Sequence, residues 1–547
     1  MKKLHLYILV VAISILPFVS LFTTPDMPHT HDGPVQLPRI AAYYKALTQG
    51  QIPPRWASDL NYGYGMPLFN FYYHTPYLIA SLFVSLGTTL VTSFKLTLLT
   101  SFILSGVFML MFGRAWLGDD KKALLLTIFY QFIPYRLVEY IIRGSFGELY
   151  VFTFLPLILY GIVSSYKEKA SMLNLATIIG TAFLILSHNS ISFMAFLFAF
   201  LFALVTAPNR NALAKTILSL FIGVLLVSFY WIPVLLERKY TYGDLFIRTM
   251  YQSHFPPLSS FFLPNFTENK SLQTGGVSTQ IGLLHSLALI MGFLLLIRPI
   301  STKKYSKHTR PLLLFLITTV AGSIFMMQKV SQPIWEHIAL LRLFQFPWRF
   351  LSVTGIATSF LSISFFFYPF FRRNVIYITI LLLTIFSTIV YWVPPLGFDK
   401  IDSEEVIWNY PLNTTYFGET DVIWSAGQAN EYPKNRVEVI EGTAQVIKYK
   451  KQDIRQTFEV NAETPAKIAS LTQYFPGWRV YVDGKITPVQ FQDVNWRGLI
   501  TFPVSQGQHS VVILFERTIV RLVSEFISLG IFVGLIIFVF LHKKRII

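Results

Sequence analysis

Residues 94–112 read FKLTLLTSFILSGVFMLMF, and Lys95 is the one charged side chain in this run. Its length matches the ~20 apolar residues that an α-helix needs to cross a bilayer. Comparable runs recur along the chain, at about 4–22, 122–140, 146–164, 171–188, 190–207, 213–235, 280–298, 310–327, 346–370, 374–393 and 523–541. The sequence therefore predicts a polytopic α-helical membrane protein with about 12 transmembrane helices.

Composition and charge fit this class and exclude an ordinary soluble globule. Hydrophobic residues make up 53% of the chain and charged residues 13%, with a net charge of +17. The basic residues cluster in alternate short loops, such as Lys2 with Lys3, Lys167 with Lys169, Arg298 to Arg310, and Lys543 to Arg545. Because positive loops stay cytoplasmic, we expect a multi-pass protein of the cytoplasmic membrane with both termini inside. The basic charge thus indicates topology and predicts no nucleic-acid partner.

Residues 394–522 break the pattern, because they contain no spanning run. Segments such as RVEVIEG, QTFEVNA, WRVYVDGK and HSVVILFERT alternate apolar and polar residues, as short strands do. Asp483 and Gly484 lie between two such arms and predict a two-residue hairpin. We expect a β-sandwich-like domain outside the membrane, with Trp478, Trp496 and Tyr474 in its core rather than in a sugar-binding platform.

Three parts of the chain follow from these patterns. Residues 1–393 are predicted to form a multi-spanning membrane domain, 394–522 an extracytoplasmic β domain, and 523–547 a C-terminal transmembrane helix with a basic cytoplasmic tail. In the first part, the loops 23–93 and 237–279 are expected on the outer side. Long structured loops usually carry function.

The first outer loop begins with a cluster of polar residues: Asp26, His29, His31 and Asp32. Carboxylates and imidazoles at this spacing can deprotonate a hydroxyl or hold a divalent cation. The structural alternative is that Asp32 opens a helix that runs through Arg39. The chemistry of the residues leaves both alternatives open.

Further charged and polar residues lie at the outer ends of other predicted helices. They are Glu139, Arg143, Glu148, His188, Glu237, Arg342 and Arg349. Charges at such positions are costly in a membrane protein and usually face a cavity or a partner. An arginine there can grip a phosphate, whereas the structural alternatives are an interfacial ion pair or a side chain that snorkels to the membrane surface.

Several segments in order resemble a family of bacterial membrane proteins described as 6-pyruvoyl-tetrahydropterin-synthase-related. They are HTHDGPVQLPRI (29–40), GQIPPRW (50–56), YGYGMPLFNFYYHTPY (62–77), RGSFGELY (143–150), LSHNS (186–190), WIPVLLE (231–237) and FQFPWRF (344–350). Near the C-terminus, QYFPGWRVYVDGK (473–485) is similar to the signature of YfhO-type membrane proteins. The family name does not describe the chemistry, because the soluble pterin enzyme needs a cysteine nucleophile and this chain has no cysteine.

The resemblance implies a glycosyltransferase of the C superfamily (GT-C), in which the first outer loop carries an acidic catalytic residue. Asp32 is the matching position. The donor in that superfamily is typically a polyprenyl-phosphate-linked sugar, and the acceptor lies outside the membrane. No cofactor is implied with certainty, and a divalent cation held by Asp26, His29, His31 and Asp32 is one option.

The sequence chemistry is compatible with that reaction. Asp32 would deprotonate or orient the acceptor hydroxyl. An arginine would stabilise the leaving phosphate, with Arg143, Arg342 and Arg349 as candidates. The cavity or the acceptor site would be shaped by His31, Arg39, Glu139, Glu148, His188 and Glu237.

Two other functions remain open. The first is a non-enzymatic flippase for lipid or polysaccharide, or an envelope-assembly protein, whose charged outer belt binds polyprenyl-phosphate headgroups. The second is a purely structural protein of the outer face. ATP-driven transport is disfavoured, because the chain has no Walker loop. The reaction class therefore depends on the resemblance to the family.

Overall fold

The computed structural model of the protein describes residues 3–167, 171–243, 248–262, 276–298, 309–415, 418–425 and 427–543. Several predicted features fall partly outside these residues. They are the basic residues at 2, 169, 299–308 and 544–547 and the stretches 244–247 and 263–275 of the predicted outer loop.

Helices dominate the described part of the chain. They are α1 (Lys3–Ile15), α2 (Gly33–Thr48), α3 (Leu68–Phe71), α4 (Thr75–Ser85), α5 (Leu90–Leu117), α6 (Asp120–Gln131), α7 (Pro134–Val138), α8 (Phe146–Ser164), α9 (Leu175–Ile185), α10 (Ile191–Thr206), α11 (Arg210–Leu226), α12 (Ser228–Glu237), α13 (Leu283–Ile297), α14 (Thr309–Met326), α15 (Gln332–His337), α16 (Ala339–Arg342), α17 (Leu351–Leu361), α18 (Asn374–Phe386), α19 (Glu404–Trp408) and α20 (Ile519–Lys543). Helix α7 continues as a π-helical turn over Glu139–Arg143. A 3₁₀ turn over Pro347–Phe350 leads into α17.

Seven helical segments of the described residues are long and apolar enough to cross a membrane. They are Leu4–Phe22, Leu90–Leu117, Phe146–Ser164, Thr309–Met326, Pro347–Phe367, Asn374–Tyr391 and Ile519–Leu541. A bent pair, Arg210–Leu226 with Ser228–Tyr240, makes an eighth if it is one span. Four shorter apolar helices also occur, namely α4, α9, α10 and α13. The polytopic helical class is therefore confirmed, while the count of twelve spans stays a prediction.

Two of the predicted spans are broken in the structure. The run 122–140 is divided between α6 and α7, because Pro134 has no N–H for the helical ladder and disfavours the helical conformation of the residue before it. The run 213–235 bends by 66° at the junction of α11 and α12. Both predictions of a continuous helix were wrong at these points.

By its internal contacts the chain divides into two compact units. Unit 1 comprises residues 1–34, 91–225 and 247–401, and unit 2 comprises residues 35–90, 226–246 and 402–547. Unit 1 also holds a two-stranded pairing of β1 (Met27–Pro28) with β2 (Phe398–Asp399). The predicted division at 393/394 and 522/523 stays a prediction.

Within unit 1, a charged side chain supports the break between α6 and α7. Arg136 is fully buried and lies over the ring of Phe102, with 4.5 Å between the guanidinium carbon and the ring centroid. It donates hydrogen bonds to Gln131, Ser105 and Tyr140. A buried charge is tolerated only when such partners replace water, so this side chain holds the broken segment in one arrangement.

Unit 2 contains the predicted β domain. Its strands are β3 (Val437–Glu441), β4 (Ala444–Gln452), β5 (Arg455–Ala462), β6 (Ala466–Gln473), β7 (Trp478–Val482), β8 (Lys485–Thr487), β9 (Leu499–Val504) and β10 (Gly507–Phe515). They form a five-stranded sheet in the order β4-β5-β10-β7-β8 and a three-stranded sheet in the order β3-β6-β9. The paired strands of both sheets are antiparallel. The prediction of a C-terminal sheet domain is confirmed.

The Asp483-Gly484 hairpin is confirmed. Val482 pairs with Lys485, so the two residues between them form the whole loop. Both have positive φ, 51° and 75°, as the favoured two-residue hairpin turn requires. Asp483 also accepts hydrogen bonds from the Ser510 N–H and from His509 Nδ1, which bind this turn to β10.

Apolar residues of both sheets pack into one core. Trp478 is buried there, which confirms its predicted place, whereas Tyr474 and Trp496 are only partly buried. The core also takes in Trp56 from the first predicted outer loop. The ring of Trp56 meets Trp478 edge-on at 5.3 Å and lies 5.4 Å from Phe515. Part of that loop is therefore folded into unit 2.

A buried ionic network joins α12 to α20 within unit 2. Glu237 Oε2 lies 3.0 Å from Arg521 Nε and accepts a hydrogen bond of 2.7 Å from Asn70 Nδ2. Arg55 pairs with Glu525 at 2.9 Å. These contacts give Glu237 structural partners. Glu237 lies in unit 2, whereas Asp32 lies in unit 1.

We expect Glu237→Gln to lower the free energy of unfolding by about 3–5 kcal/mol, because it leaves the buried Arg521 guanidinium without its carboxylate. Thermal unfolding of the purified protein in detergent measures this. Glu459→Gln is the matched control, since Glu459 forms an exposed pair with Lys448 worth about 0–1 kcal/mol. Equal losses from both variants would show that the buried pair does not hold α12 and α20 together.

Candidate functional site

Asp32 lies at the start of α2, against the π-helical turn Glu139–Arg143 of the same unit. The backbone N–H of His31 donates to the carbonyl of Ile142 at 3.0 Å, and that of Asp32 donates to the carbonyl of Arg143 at 2.8 Å. The Asp32 side chain keeps 19% of its surface exposed. Two backbone hydrogen bonds therefore position a partly accessible carboxylate beside a buried turn.

Arg143 is the centre of the site. Its Nη1 lies 2.7 Å from Glu139 Oε2 and 3.0 Å from Glu148 Oε1, and both glutamates are fully buried. Its Nη2 lies 3.6 Å from Asp32 Oδ2. One guanidinium thus meets three carboxyl groups, which offsets the cost of burying it.

A second arginine completes this ion cluster. Arg349 Nε lies 2.8 Å from Glu148 Oε1, the same oxygen that Arg143 binds. Arg349 Nη1 donates to the Phe344 carbonyl and to Gln345 Oε1, each at 2.9 Å. Tyr135 donates to the other oxygen of Glu148 at 3.0 Å. Within the described residues, Arg349 Nη2 has no hydrogen-bond partner.

Two stacked aromatic rings cover the guanidinium groups. Phe346 and Trp348 stack with 4.9 Å between centroids and 7° between planes. Arg143 lies over the ring of Trp348 and Arg349 over that of Phe346, each at 5.0 Å. Both rings exclude water from one face of each cation, which strengthens the ionic contacts.

Trp348 is buried in the ion cluster. It is 3% exposed, and its ring lies 5.0 Å from the Arg143 guanidinium. In the described part of the chain its indole N–H finds no hydrogen-bond acceptor. Burying a donor in this way costs about 1–3 kcal/mol, and such an exception calls for an explanation.

Two glycines allow the site to close around Thr30. The Thr30 hydroxyl accepts a hydrogen bond of 3.0 Å from the Gly33 N–H, at the first residue of α2. A Cβ at Gly33 would lie 2.5 Å from that oxygen, and one at Gly144 would lie 2.6 Å from it. Gly144 also has φ of +65°, and it ends the π-helical turn directly after Arg143. A side chain at Gly144 would collide with Thr30 across the two segments, and one at Gly33 would collide with Thr30 and Met27 of its own loop.

The predicted polar cluster of the first loop does not form a single site. His29 Nδ1 lies 2.9 Å from Asp399 Oδ1, and Asp26 accepts a hydrogen bond from Thr24 at 2.6 Å. His31 is exposed. Asp32 reaches the ion cluster, whereas the chain directs His29 and Asp26 to other neighbours.

The residues do not fit the divalent cation that was one option from sequence. Within the ranges that the structure describes, no three His, Asp or Glu side chains come together as metal ligands. Asp32, Glu139 and Glu148 share Arg143 as their counter-ion instead. A guanidinium therefore occupies the position that a metal would need.

The remaining predicted site residues are separated. Arg342 donates to the backbone carbonyls of Trp335 and Glu336 rather than to the ion cluster. Arg39 belongs to unit 2, where it donates to Thr414 and to the Tyr72 hydroxyl. Pro347 lies between Arg342 and Arg349 and interrupts the helix, so the two arginines share no continuous helical face.

His188 keeps a place near the cluster in unit 1. Its Nδ1 accepts from the backbone N–H groups of Ser190 and Ile191, at 3.2 and 3.3 Å, and so caps the start of α10. It also interacts electrostatically with Glu148 and Arg349. The residues brought together are therefore Asp32, Glu139, Arg143, Glu148, His188 and Arg349.

Sequence reasoning missed the role of Thr30 and of the Phe346–Trp348 stack. The signal for the stack was present, since FQFPWRF places two aromatic residues two positions apart beside an arginine. Thr30 gave no signal, because its contact with Gly144 joins residues 114 positions apart.

The protein is therefore a polytopic helical protein with a buried arginine–carboxyl cluster and a C-terminal sheet domain. The chain belongs to the family described as 6-pyruvoyl-tetrahydropterin synthase related domain; membrane protein, whose model matches residues 69–394. A search of curated proteins finds no match.

Two solved structures show similarity at low sequence identity. Arabinofuranosyltransferase AftD from Mycobacteria is similar over 72% of this chain and 27% of its own, with 15% identity and a TM-score of 0.44. ArnT from Cupriavidus metallidurans bound to undecaprenyl phosphate is similar over 66% of this chain and 77% of its own, with 12% identity and a TM-score of 0.29. The chain thus spans about a quarter of the length of AftD.

We expect Gly144→Ala to destabilise the protein more than Gly87→Ala. Both glycines have positive φ, at which a side chain costs about 1–2 kcal/mol. At Gly87 a Cβ would meet nothing within 4 Å, whereas at Gly144 it would collide with Thr30. Thermal unfolding of the two variants separates the collision from the backbone strain. Equal shifts in Tm would rule out the close approach of Thr30.

Proposed function

We propose that the protein is a membrane glycosyltransferase that moves a sugar from a polyprenyl-phosphate-linked donor to an acceptor outside the cytoplasm, such as an envelope glycan, lipid or protein. The observation that carries the proposal is the partly exposed Asp32 carboxylate held 3.6 Å from the buried Arg143. A carboxylate beside an arginine cluster offers a base and cations in one place, as transfer from a phosphate requires.

The reaction would proceed by displacement at the anomeric carbon of the donor sugar. The acceptor oxygen forms a bond to that carbon, and the bond from the carbon to the phosphate oxygen breaks. Asp32 takes the proton of the acceptor hydroxyl. The bonding pair leaves with the phosphate, whose growing negative charge needs a cation nearby.

Arg349 is the better candidate for that cation. Arg143 already meets Asp32, Glu139 and Glu148, which together outweigh its charge. Arg349 meets only Glu148 among carboxylates, and its Nη2 has no hydrogen-bond partner in the described residues. A guanidinium with an uncommitted N–H group can still donate to a phosphate oxygen.

Two further features support this assignment. Trp348 contributes a buried indole N–H that lacks an acceptor in the described part of the chain, and a donor-phosphate oxygen could satisfy it. In this proposal no metal takes part at the cluster, where Arg143 is the counter-ion of the carboxyl groups. In this proposal Arg143 positions Asp32, and Glu139 and Glu148 position Arg143.

The proposal also requires a defined topology. Asp32 and the β domain would lie outside the cytoplasm, and both termini would lie inside, as the positive loops predict. A lipid-linked donor would then reach the cluster from the bilayer, while the acceptor would arrive from the aqueous side. The β domain would recognise the acceptor.

We expect Asp32→Asn to lower sugar transfer by about 10²–10⁴-fold, the usual contribution of a general base. Transfer is measured in proteoliposomes with a panel of radiolabelled polyprenyl-phosphate sugars. Asp26→Asn is the control, because Asp26 lies in the same loop but hydrogen-bonds to Thr24. The thermal unfolding of both variants shows whether the fold is intact.

The same assay separates transfer from lipid movement. If the wild type transfers no sugar from any donor and instead moves the labelled lipid between leaflets, the flippase alternative is correct. If Asp32→Asn transfers sugar at the wild-type rate, Asp32 is not the base.

We expect Arg349→Lys to lower the rate of transfer by about 10²-fold. A lysine keeps the positive charge but loses the planar fork that binds Glu148 and the phosphate together. Arg342→Lys is the matched control, since Arg342 contacts only backbone carbonyls. Steady-state kinetics of the two variants provide the comparison, and a larger defect in Arg342→Lys would overturn the assignment of Arg349.

A further inference from the structure

An open depression on unit 2 lies between the segment around Trp424 and the loop that precedes β9. It has a volume of about 380 Å³ and is lined by Ile423, Trp424, Gln492 and Arg497. This volume is within the ~300–1,000 Å³ of small-molecule sites. The lining combines one large aromatic ring with an amide and a guanidinium.

The Trp424 ring is held in one orientation. Its Nε1 donates a hydrogen bond of 3.2 Å to the Tyr474 carbonyl. Its ring lies 5.7 Å from that of Tyr474 and 5.0 Å from that of Phe491, and these two rings are stacked at 4.0 Å. Tyr240 packs against Trp424 at 5.7 Å. The ring is only partly buried. Because these contacts already fix its orientation, ligand binding does not have to order this side chain.

The loop that carries the two polar groups is also constrained. Gln490 and Thr501 exchange two backbone hydrogen bonds, of 2.8 and 2.9 Å, which close the loop at its base. Inside it, the Gly498 N–H donates to the Phe491 carbonyl at 2.8 Å. Gly498 has φ of +76°, and a Cβ there would lie 2.7 Å from the Cα of Ser425. The loop thus packs directly against the segment that holds Trp424.

Gln492 and Arg497 have no hydrogen-bond or ion-pair partner among the described residues, and both are exposed. The amide can donate and accept, and the guanidinium donates through several N–H groups. The face of an indole is electron-rich and attracts the weakly positive C–H groups of a sugar ring. A sugar has one C–H-rich face and a rim of hydroxyls, so it matches this combination of groups.

We propose that the depression bounded by Trp424, Gln492 and Arg497 binds a glycan chain, with one sugar ring on the Trp424 face and its hydroxyls bonded to Gln492 and Arg497. The binding site is separate from the ion cluster and does not require the chain to be an enzyme. Its role as an acceptor site does depend on the proposed function. Trp478, by contrast, is buried in the core, as the sequence predicts.

The test uses the full-length protein in detergent micelles on an array of neutral and acidic oligosaccharides. The oligosaccharide with the strongest signal is then titrated by calorimetry. We expect Trp424→Ala to raise the Kd for this oligosaccharide by about tenfold or more, because the variant loses a central aromatic contact. Binding to no glycan on the array would overturn the proposal, as would displacement of the glycan by inorganic phosphate alone.

Further variants keep the result clear if loss of Trp424 disturbs the core. Gln492→Ala and Arg497→Ala remove exposed side chains, so we expect both proteins to fold and to bind the glycan several-fold more weakly. Tyr432→Ala is the matched control, because Tyr432 is an exposed aromatic residue outside the lining. Unchanged affinity in both the Gln492 and Arg497 variants would overturn the site.

The Asp32→Asn variant separates this inference from the proposed function. It should bind the glycan with wild-type affinity, because Asp32 does not line the depression. If the wild type binds the glycan but transfers no sugar, the binding site stands and the proposed function fails. If transfer occurs but the array shows no glycan binding, the proposed function stands and the binding site fails.

Discussion

The cost of burying Arg143 governs the rest of the site. A guanidinium out of water must be met by carboxylates at hydrogen-bond distance, and here Glu139, Glu148 and Asp32 supply them. Glu148 in turn binds Arg349, which determines where the segment before α17 can lie. The positions of four separate stretches of unit 1 therefore follow from one desolvated charge.

Unit 2 uses the same principle for a different purpose. Arg521 is fully buried at the start of α20 and is matched by Glu237 of α12. This pair involves no partly exposed carboxylate: Asn70 donates to the Glu237 oxygen that Arg521 binds, and Thr518 donates to the other oxygen. A fully buried ion pair holds helices together, whereas a cluster that includes a partly exposed carboxylate can also do chemistry.

The sequence predicts the elements with local signals and misses those that depend on distant contacts. Apolar runs of bilayer length and the Asp483-Gly484 turn are local, and the structure has both. The ion pair of Glu139 and Arg143, which are four residues apart, is local as well. The link from Asp32 to Arg143 came only with the resemblance to a family, because composition does not say which loop meets which helix. The partners of the first-loop residues are not a local signal either, since His29 turns to Asp399.

The π-helical turn Glu139–Arg143 determines the direction in which Arg143 points. One residue removed from it would let the segment relax into an ordinary α-helix with better hydrogen bonds. A deletion before Arg143 would rotate that side chain by about 100° around the helix axis, since an α-helix has ~3.6 residues per turn. Arg143 would then turn away from Asp32, while a spacing of three residues would keep it on the helix face of Glu139. The less regular π-helical turn thus keeps Arg143 directed at Asp32. A regular α-helix would lose that contact.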